Sequence, residues 1–348
     1  MRMKRIEQEL LYSLAERPKS FWELLEGSDS LLKDLIRTVN RLYSSGMIEK
    51  KGEKLYLTEK GEKLINRQAK LFLPIPCKRC RGKGFLLSKE LEEIYRKFRK
   101  IARSRPIPTP EFFQGCILGR DVIARVAFMN ANCDVADKSI LLVGDDDLLS
   151  VALALTELPK RIVVVDIDAR LGDFLGKVNG RYGLDIEFVE YDVAEPMPTF
   201  LRRKFDVFST EPLETTSGFL AFLARGAAAL KRNGVGYVGL TKVEVSPKRW
   251  KRFEIEILRM NFVITHVLPK FSRYFDSENE HWGKEYEQFV KDLVFEVGPN
   301  PGMNWYTSAL LRIEALGLPK PIRNPAKRFP LKPVGAEDYT HPSLHQNR

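Results

Sequence analysis

Apolar residues recur at helical spacing over residues 4–16, where Ile6, Leu10, Leu11 and Leu14 share one face. The same period predicts a short helix over 21–25 and a longer one over 31–43, which Ser44-Ser45-Gly46 stops. Two short strands are expected at 47–50 and 54–57, around the turn Lys51-Gly52-Glu53, and Thr58-Glu59-Lys60-Gly61 opens another helix. Three helices and a hairpin make a winged-helix pattern, so residues 1–68 are read as a winged-helix-like domain. Residues 69–135 read as a proline-rich connection, with Leu73-Pro-Ile-Pro-Cys77 and Arg105-Pro-Ile-Pro-Thr-Pro110 on either side of a helix at 89–102.

From Lys138 the pattern changes to regular alternation. Strands are predicted at 139–143, 161–165, 186–189, 205–209 and 236–240. Helices fall at 148–155, 169–178, 218–230 and 249–260, with an Asn233-Gly234 stop before the fifth strand and closing strands at 262–268 and 310–314. This alternation predicts an α/β fold: a doubly wound, class I methyltransferase-like (Rossmann-type) sheet over residues 136–325. Residues 326–348 are rich in proline and polar residues and are read as a flexible C-terminal tail.

Composition adds bounds. A chain of 348 residues with 44% hydrophobic content can bury a two-domain core. No apolar stretch reaches membrane-spanning length, and Met1-Arg-Met-Lys-Arg5 is followed by no signal-peptide segment, so a cytoplasmic protein is expected. Four cysteines form no disulfide framework, and 30% charged residues with four histidines point weakly to a thermophilic source. Net charge of +11 favours anionic partners. Lys33, Arg37 and Arg41 stand at four-residue spacing on the third helix, as on a DNA-reading helix. The solvated face of a module that packs or pairs is the better-supported reading, and a homodimer is expected. Cys77-Lys-Arg-Cys80 is half of a zinc-knuckle spacing. Cys116 and Cys133, or a second subunit, would have to complete a structural metal site, and two free thiols are the plainer alternative.

The chemistry concentrates at strand ends. The first strand runs into Gly144-Asp145-Asp146-Asp147, where nucleotide-binding folds usually place glycines against a phosphate. Three carboxylates there repel a pyrophosphate and favour a cationic ligand; helix capping accounts for only one of them. The next strands end at Asp166 with Asp168, at Asp192, and at Glu211 with Glu214. Asp166 lies where an acid accepts from ribose hydroxyls, and Asp192 where one accepts from an adenine amino group. This order resembles the S-adenosylmethionine-binding fold, and the Gly-x-Gly-x-x-Gly of a dinucleotide fold is missing. An acidic turn suits neither the methionine carboxylate of intact S-adenosylmethionine nor any anion. It suits the aminopropyl ammonium and sulfonium of the decarboxylated form, and a polyamine nucleophile.

Gly144-Asp-Asp-Asp147, Val165-Asp166-Ile-Asp168, Glu111-Phe-Phe-Gln114-Gly, Cys77-x-x-Cys80-x-Gly-Lys-Gly84 and Trp305-Tyr306-Thr-Ser-Ala together resemble the branched-chain polyamine synthases, the N(4)-bis(aminopropyl)spermidine synthases of thermophilic archaea and bacteria. The resemblance extends over nearly the whole chain. It implies transfer of aminopropyl groups from decarboxylated S-adenosylmethionine to the secondary amine of spermidine, once and then again, with release of methylthioadenosine and no cofactor beyond that co-substrate. The segment Thr210-Glu211-Pro212-Leu213-Glu214 stands where Asp-Pro-Pro-Glu is expected, so the carboxylate is kept but lengthened.

The expected mechanism is direct displacement, with one of Asp145–Asp147 as the proton acceptor and Glu211 as second choice. Gly144, Gln114, Asp166, Asp168 and Asp192 are expected to bind the substrates, with Glu214 and Glu254 or Glu256 anchoring terminal ammonium groups. Two rivals fit parts of the pattern: a nucleic-acid methyltransferase with a winged-helix reader, and a polyamine-sensing transcription regulator. The first lacks an aromatic after Pro212 to stack a flipped base, and nucleic acid is not expected as a partner.

Overall fold

A computed structural model describes residues 3–65, 77, 79–80, 82–109, 112, 114–274 and 287–332. Labels below number the elements among these residues. The N-terminal unit comprises α1 (Arg5–Glu16), α2 (Phe21–Gly27), α3 (Leu32–Ser44), the antiparallel ribbon β1 (Ile48–Lys51) and β2 (Lys54–Leu57), and the short α4 (Glu59–Glu62). Of the stripe read from the sequence, Leu10, Leu11 and Leu14 are buried and Ile6 is partly buried against them; Leu35, Val39 and Leu42 of α3 belong to the same core. The unit is docked on the rest of the chain. Leu32 N–H donates to Val243 O (2.9 Å), Trp22 Nε1 to Gly298 O (2.9 Å), and Phe289 packs edge-on against Trp22 and Trp305.

After α5 (Lys89–Ala102) and α6 (Gly119–Ala131) come β3 (Ser139–Val143), α7 (Leu149–Ala154), β4 (Arg161–Asp166), α8 (Ala169–Tyr182), β5 (Ile186–Glu190) and β6 (Phe205–Thr210). The series closes with α9 (Thr216–Ala229), β7 (Leu230–Leu240), α10 (Pro247–Arg259), β8 (Phe262–Arg273) and β9 (Thr307–Ala315). The sheet order is β5-β4-β3-β6-β7-β9-β8; the first five strands are parallel, and β9 runs antiparallel to both its neighbours. Side chains of β3 alternate between two cores. Ile140 and Leu142 pack in the layer that holds α6, α7 and α8, whereas Leu141 and Val143 pack with α9 and α10. Helices thus cover both faces, which is why the central strands are predominantly apolar. The order reverses at β3, and the carboxyl ends of β3 and β6 flank this switch point, where such sheets hold ligands.

Two expectations give way. Asn233-Gly234 does not precede the fifth strand but lies within it: β7 starts at Leu230, Asn233 takes φ 60°, and the pairing with β6 shifts register there. The tail expected to be flexible from 326 is packed as far as Lys332. Phe329 is buried, its N–H donates to Ala194 O (2.7 Å), and Lys332 N–H donates to Ser217 Oγ (3.0 Å). The cause is Arg225: this buried guanidinium needs acceptors, and Pro325 O (3.1 Å) and Lys327 O (3.0 Å) provide two of them. No helix among the described residues is long and apolar enough to cross a membrane.

Candidate active site

Gly144 turns the chain out of β3 with φ 78°, a conformation open to glycine at no steric cost. Its N–H donates to Val165 O (2.9 Å), holding the turn against β4. The three aspartates that follow point to different partners. Asp145 is buried, and both its oxygens face Ser150, accepting the amide (3.1 Å) and the hydroxyl. Asp146 Oδ2 accepts from Gly115 N–H (3.0 Å), and Asp147 Oδ1 from Ile117 N–H (2.6 Å). Segment 114–118 is therefore sewn to the acidic turn. Burial pushes Asp145 up to about 8 and Asp146 to about 7, the latter helped by the neighbouring Asp166 charge; Asp147 rises well above the carboxylate range through burial and Asp146.

At the end of β4, Asp166 accepts from the amides of Asp145 (3.1 Å) and Asp168 (2.9 Å), and burial raises its pKa. Asp168 caps α8 and is clamped by Arg170 (2.7 and 2.8 Å) and Gln114 Nε2 (2.9 Å). Burial alone would raise Asp168, but these hydrogen bonds hold it below the usual range. Asp192, half-buried past β5, accepts from Ala194 N–H (2.8 Å).

The floor beyond β6 is a charge network. Glu211 Oε1 meets Arg125 of α6, and Oε2 accepts from Tyr274 OH (2.6 Å) and Ser308 Oγ (3.3 Å). Arg125 also donates to Ser272 Oγ (3.0 Å). Glu211 lies over Gly239 of β7, where an added Cβ would fall 1.8 Å from Oε2, so the strand must be bare at that point. Glu214 is pushed up to about 7 by burial and by Glu211, and Tyr306 OH donates to it (3.4 Å). Glu244, buried past β7, is raised well above the usual range by burial and by Glu214, and also bonds Tyr306. Carboxyl groups gathered this closely favour cations such as amines, and burial without one favours the protonated form of Asp145, Asp146 and Glu214.

The fold thus gathers Gly144, Asp145, Asp146, Asp147, Asp166, Asp168, Gln114, Glu211 and Glu214. It places Glu254 and Glu256 elsewhere. Phe253 and Ile257 take the buried face of α10, which turns Glu254 to Trp250 Nε1 (3.0 Å) and Glu256 to Arg259 (2.8 Å). Glu244, which the sequence reading did not single out, stands beside Glu214 instead. It follows the fifth parallel strand, whereas strand ends were counted only as far as the fourth. Arg125 was also missed, although a lone arginine inside Val122-Ile-Ala-Arg-Val126 is a signal of an internal charge partner.

Cys116 does not complete a cluster with Cys77 and Cys80: it is buried beside Asp146, its Sγ 3.9 Å from that residue's carbonyl oxygen. Among the described residues no group of three or more histidine, cysteine or acidic side chains is placed to hold a metal ion. Of the quoted family segments, Lys78, Arg81, Glu111 and Phe113 lie outside the described residues.

Residues 93–329 match the family described as the branched-chain polyamine synthase A C-terminal domain. The chain is 34% identical over 299 residues to an N(4)-bis(aminopropyl)spermidine synthase of Thermococcus kodakarensis, covering 85% of this chain and 83% of that one. It is 35% identical over 302 residues to the protein of that name from Methanocaldococcus jannaschii, with the same coverage. Among solved structures, the branched-chain polyamine synthase of Thermus thermophilus, in complex with N4-aminopropylspermidine and 5'-methylthioadenosine, superposes with a TM-score of 0.80 at 31% identity, covering 98% of this chain and 95% of that one.

Proposed function

The chain belongs to the branched-chain polyamine synthase family, and we propose that it moves aminopropyl groups from decarboxylated S-adenosylmethionine to the secondary amine of spermidine. The products are N(4)-aminopropylspermidine and then N(4)-bis(aminopropyl)spermidine, with methylthioadenosine released at each step. The observation that carries this reading is the buried acidic floor, Asp145–Asp147 with Glu211, Glu214 and Glu244. Such a floor is costly to assemble without cations, and an anionic donor tail would make it worse.

In our reading Asp166 and Asp192 receive the ribose and adenine of the donor, with Asp168 and Gln114 fixing the shelf beside them. The spermidine nitrogen attacks the carbon next to the sulfonium; the new C–N bond forms as the C–S bond breaks, and the electron pair leaves with the neutral thioether. One proton must leave the amine. Asp145 has both oxygens engaged by Ser150, and Glu211 is held by a cation and two hydroxyls. Asp146 uses one oxygen for Gly115 N–H, and burial pushes its carboxyl up to about 7, so it is our choice of acceptor. Asp147 directs the amine, and Glu214 with Glu244 anchors a terminal ammonium. Mass spectrometry of products formed from decarboxylated S-adenosylmethionine and a panel of polyamines tests the reading. Methyl transfer from intact S-adenosylmethionine, or no transfer at all, defeats it.

We read residues 5–62 as a winged-helix-type module used as a docked support rather than as a DNA reader. Arg41 is paired with Glu7 (2.6 Å), which withdraws one of the three basic positions on α3. A homodimer is the assembly we expect, and light scattering in solution measures it.

A further inference from the structure

The acids of the floor contribute negative charge, yet the whole chain carries +11, so positive charge must collect elsewhere. A cleft of about 780 Å³ opens between the end of α5 and α8. Lys100, Lys177 and Arg181 line it, together with Arg170, whose charge is paired with Asp168, against one acid, Asp173. Lys100 and Lys177 are exposed and form no ion pair with any described residue. Both substrates in the function proposed above are cations, which this cleft repels. It is built for an anion.

The spacing says what kind of anion. Arg170, at the head of α8, is held by Asp168, so the cations open to a ligand are Lys177 and Arg181, one turn apart on α8, and Lys100 at the end of α5. At about 1.5 Å rise per residue Lys177 and Arg181 stand roughly 6 Å apart along the helix, which with Lys100 on the other wall suits successive phosphates of a strand better than a single one. Tyr182, 42% exposed, stands at the end of the row with the Arg181 guanidinium 5.6 Å from its ring centre. A line of cations ending in an open aromatic face is what single-stranded nucleic acids bind, phosphates on the cations and a base on the ring. We propose that the cleft between α5 and α8 is a docking site for single-stranded nucleic acid. If the function above holds, docking places the acidic floor inside the counterion layer of a polyanion, where polyamines concentrate.

Binding is measured on the full chain by fluorescence anisotropy, with a labelled single strand of about twelve nucleotides. The matching duplex and vesicles containing an anionic phospholipid are the other two probes. Wild-type protein should bind the single strand most tightly. The triple variant Lys100→Glu, Lys177→Glu, Arg181→Glu should lose at least tenfold in affinity, and its log–log salt slope should fall by about two, at ~0.7 per phosphate contact. Tyr182→Ala should lose roughly fivefold or more.

A control with the same change in net charge, Lys54→Glu, Lys320→Glu, Lys327→Glu, should keep most of the affinity. Equal losses in the two triple variants would reduce the effect to bulk charge and overturn the site. Preference for the duplex or the vesicles, or an inert Tyr182→Ala, overturns the single-strand assignment. Aminopropyl transfer to free spermidine should be alike in wild type and both triple variants. Its absence in all three would count against the proposed function and leave the binding result standing.

Discussion

The hydroxyl of Tyr274 donates to Glu211 Oε2 at 2.6 Å, joining the end of β8 to the acid that follows β6. With Arg125 on the other oxygen, this bond fixes a carboxylate of the floor that has a cation in direct contact. Tyr274 is itself held protonated by burial and by the Glu211 charge, so it is a donor and not a base. Tyr274→Phe should leave Glu211 short of one partner and lower turnover several-fold, with a stability cost of about 1–3 kcal/mol. Thermal melts and steady-state rates on the same preparation check it.

Asp146→Asn keeps the shape of the turn and removes the proposed proton acceptor. Turnover should fall by roughly 10²–10⁴ while the melting temperature changes little. Asp145→Asn should do the reverse, because Ser150 uses both Asp145 oxygens to start α7. Retained activity in Asp146→Asn would move the role to Asp147.

The acid limb of the rate profile should follow Asp146. Its carboxyl is pushed up to about 7, so activity should rise as pH passes through 7 and the base loses its proton. In Asp146→Asn that inflection should vanish from whatever rate is left.

Stability should run the opposite way. Asp145, Asp146 and Glu214 have pKa values raised in the folded state, to about 8, 7 and 7. Between pH 4 and those values the folded chain binds more protons than the unfolded one, so raising pH over that window destabilises the ligand-free protein. A melting temperature that falls from pH 5 to pH 8, and is restored more by spermidine at pH 8 than at pH 5, is the expected result. A flat profile would mean that these acids are solvated.

Glu244→Gln should raise KM for the polyamine by roughly tenfold to a hundredfold, the scale of a lost charge-assisted hydrogen bond, and leave KM for the donor nearly unchanged. Glu256→Gln, on α10 and paired with Arg259, should change neither.

Gly239→Ala tests the floor from below. The new methyl would overlap Glu211, whose carboxylate cannot swing away without leaving Arg125 and Tyr274. Loss of activity together with a lowered melting temperature is expected.

The sheet and its edge were legible because strand and helix periods differ and acids stand out against apolar runs. Ile140–Val143 is uniformly apolar because both faces of β3 are covered, and Gly144-Asp145-Asp146-Asp147 then breaks the run at the carboxyl end of the strand. Those features are local in the chain, so the sequence alone determined the mostly parallel α/β sheet, the acidic turn and the family. Pairings made over long separations were not legible. Arg125 meets Glu211, Gln114 meets Asp168, and Glu244 rather than Glu254 faces Glu214, only because packing of the helices on the sheet sets which side of each element looks inward. Charge state followed the same division. The sequence counts carboxylates, but the burial that raises Asp145, Asp146 and Glu214 exists only in the folded protein, where water no longer solvates them.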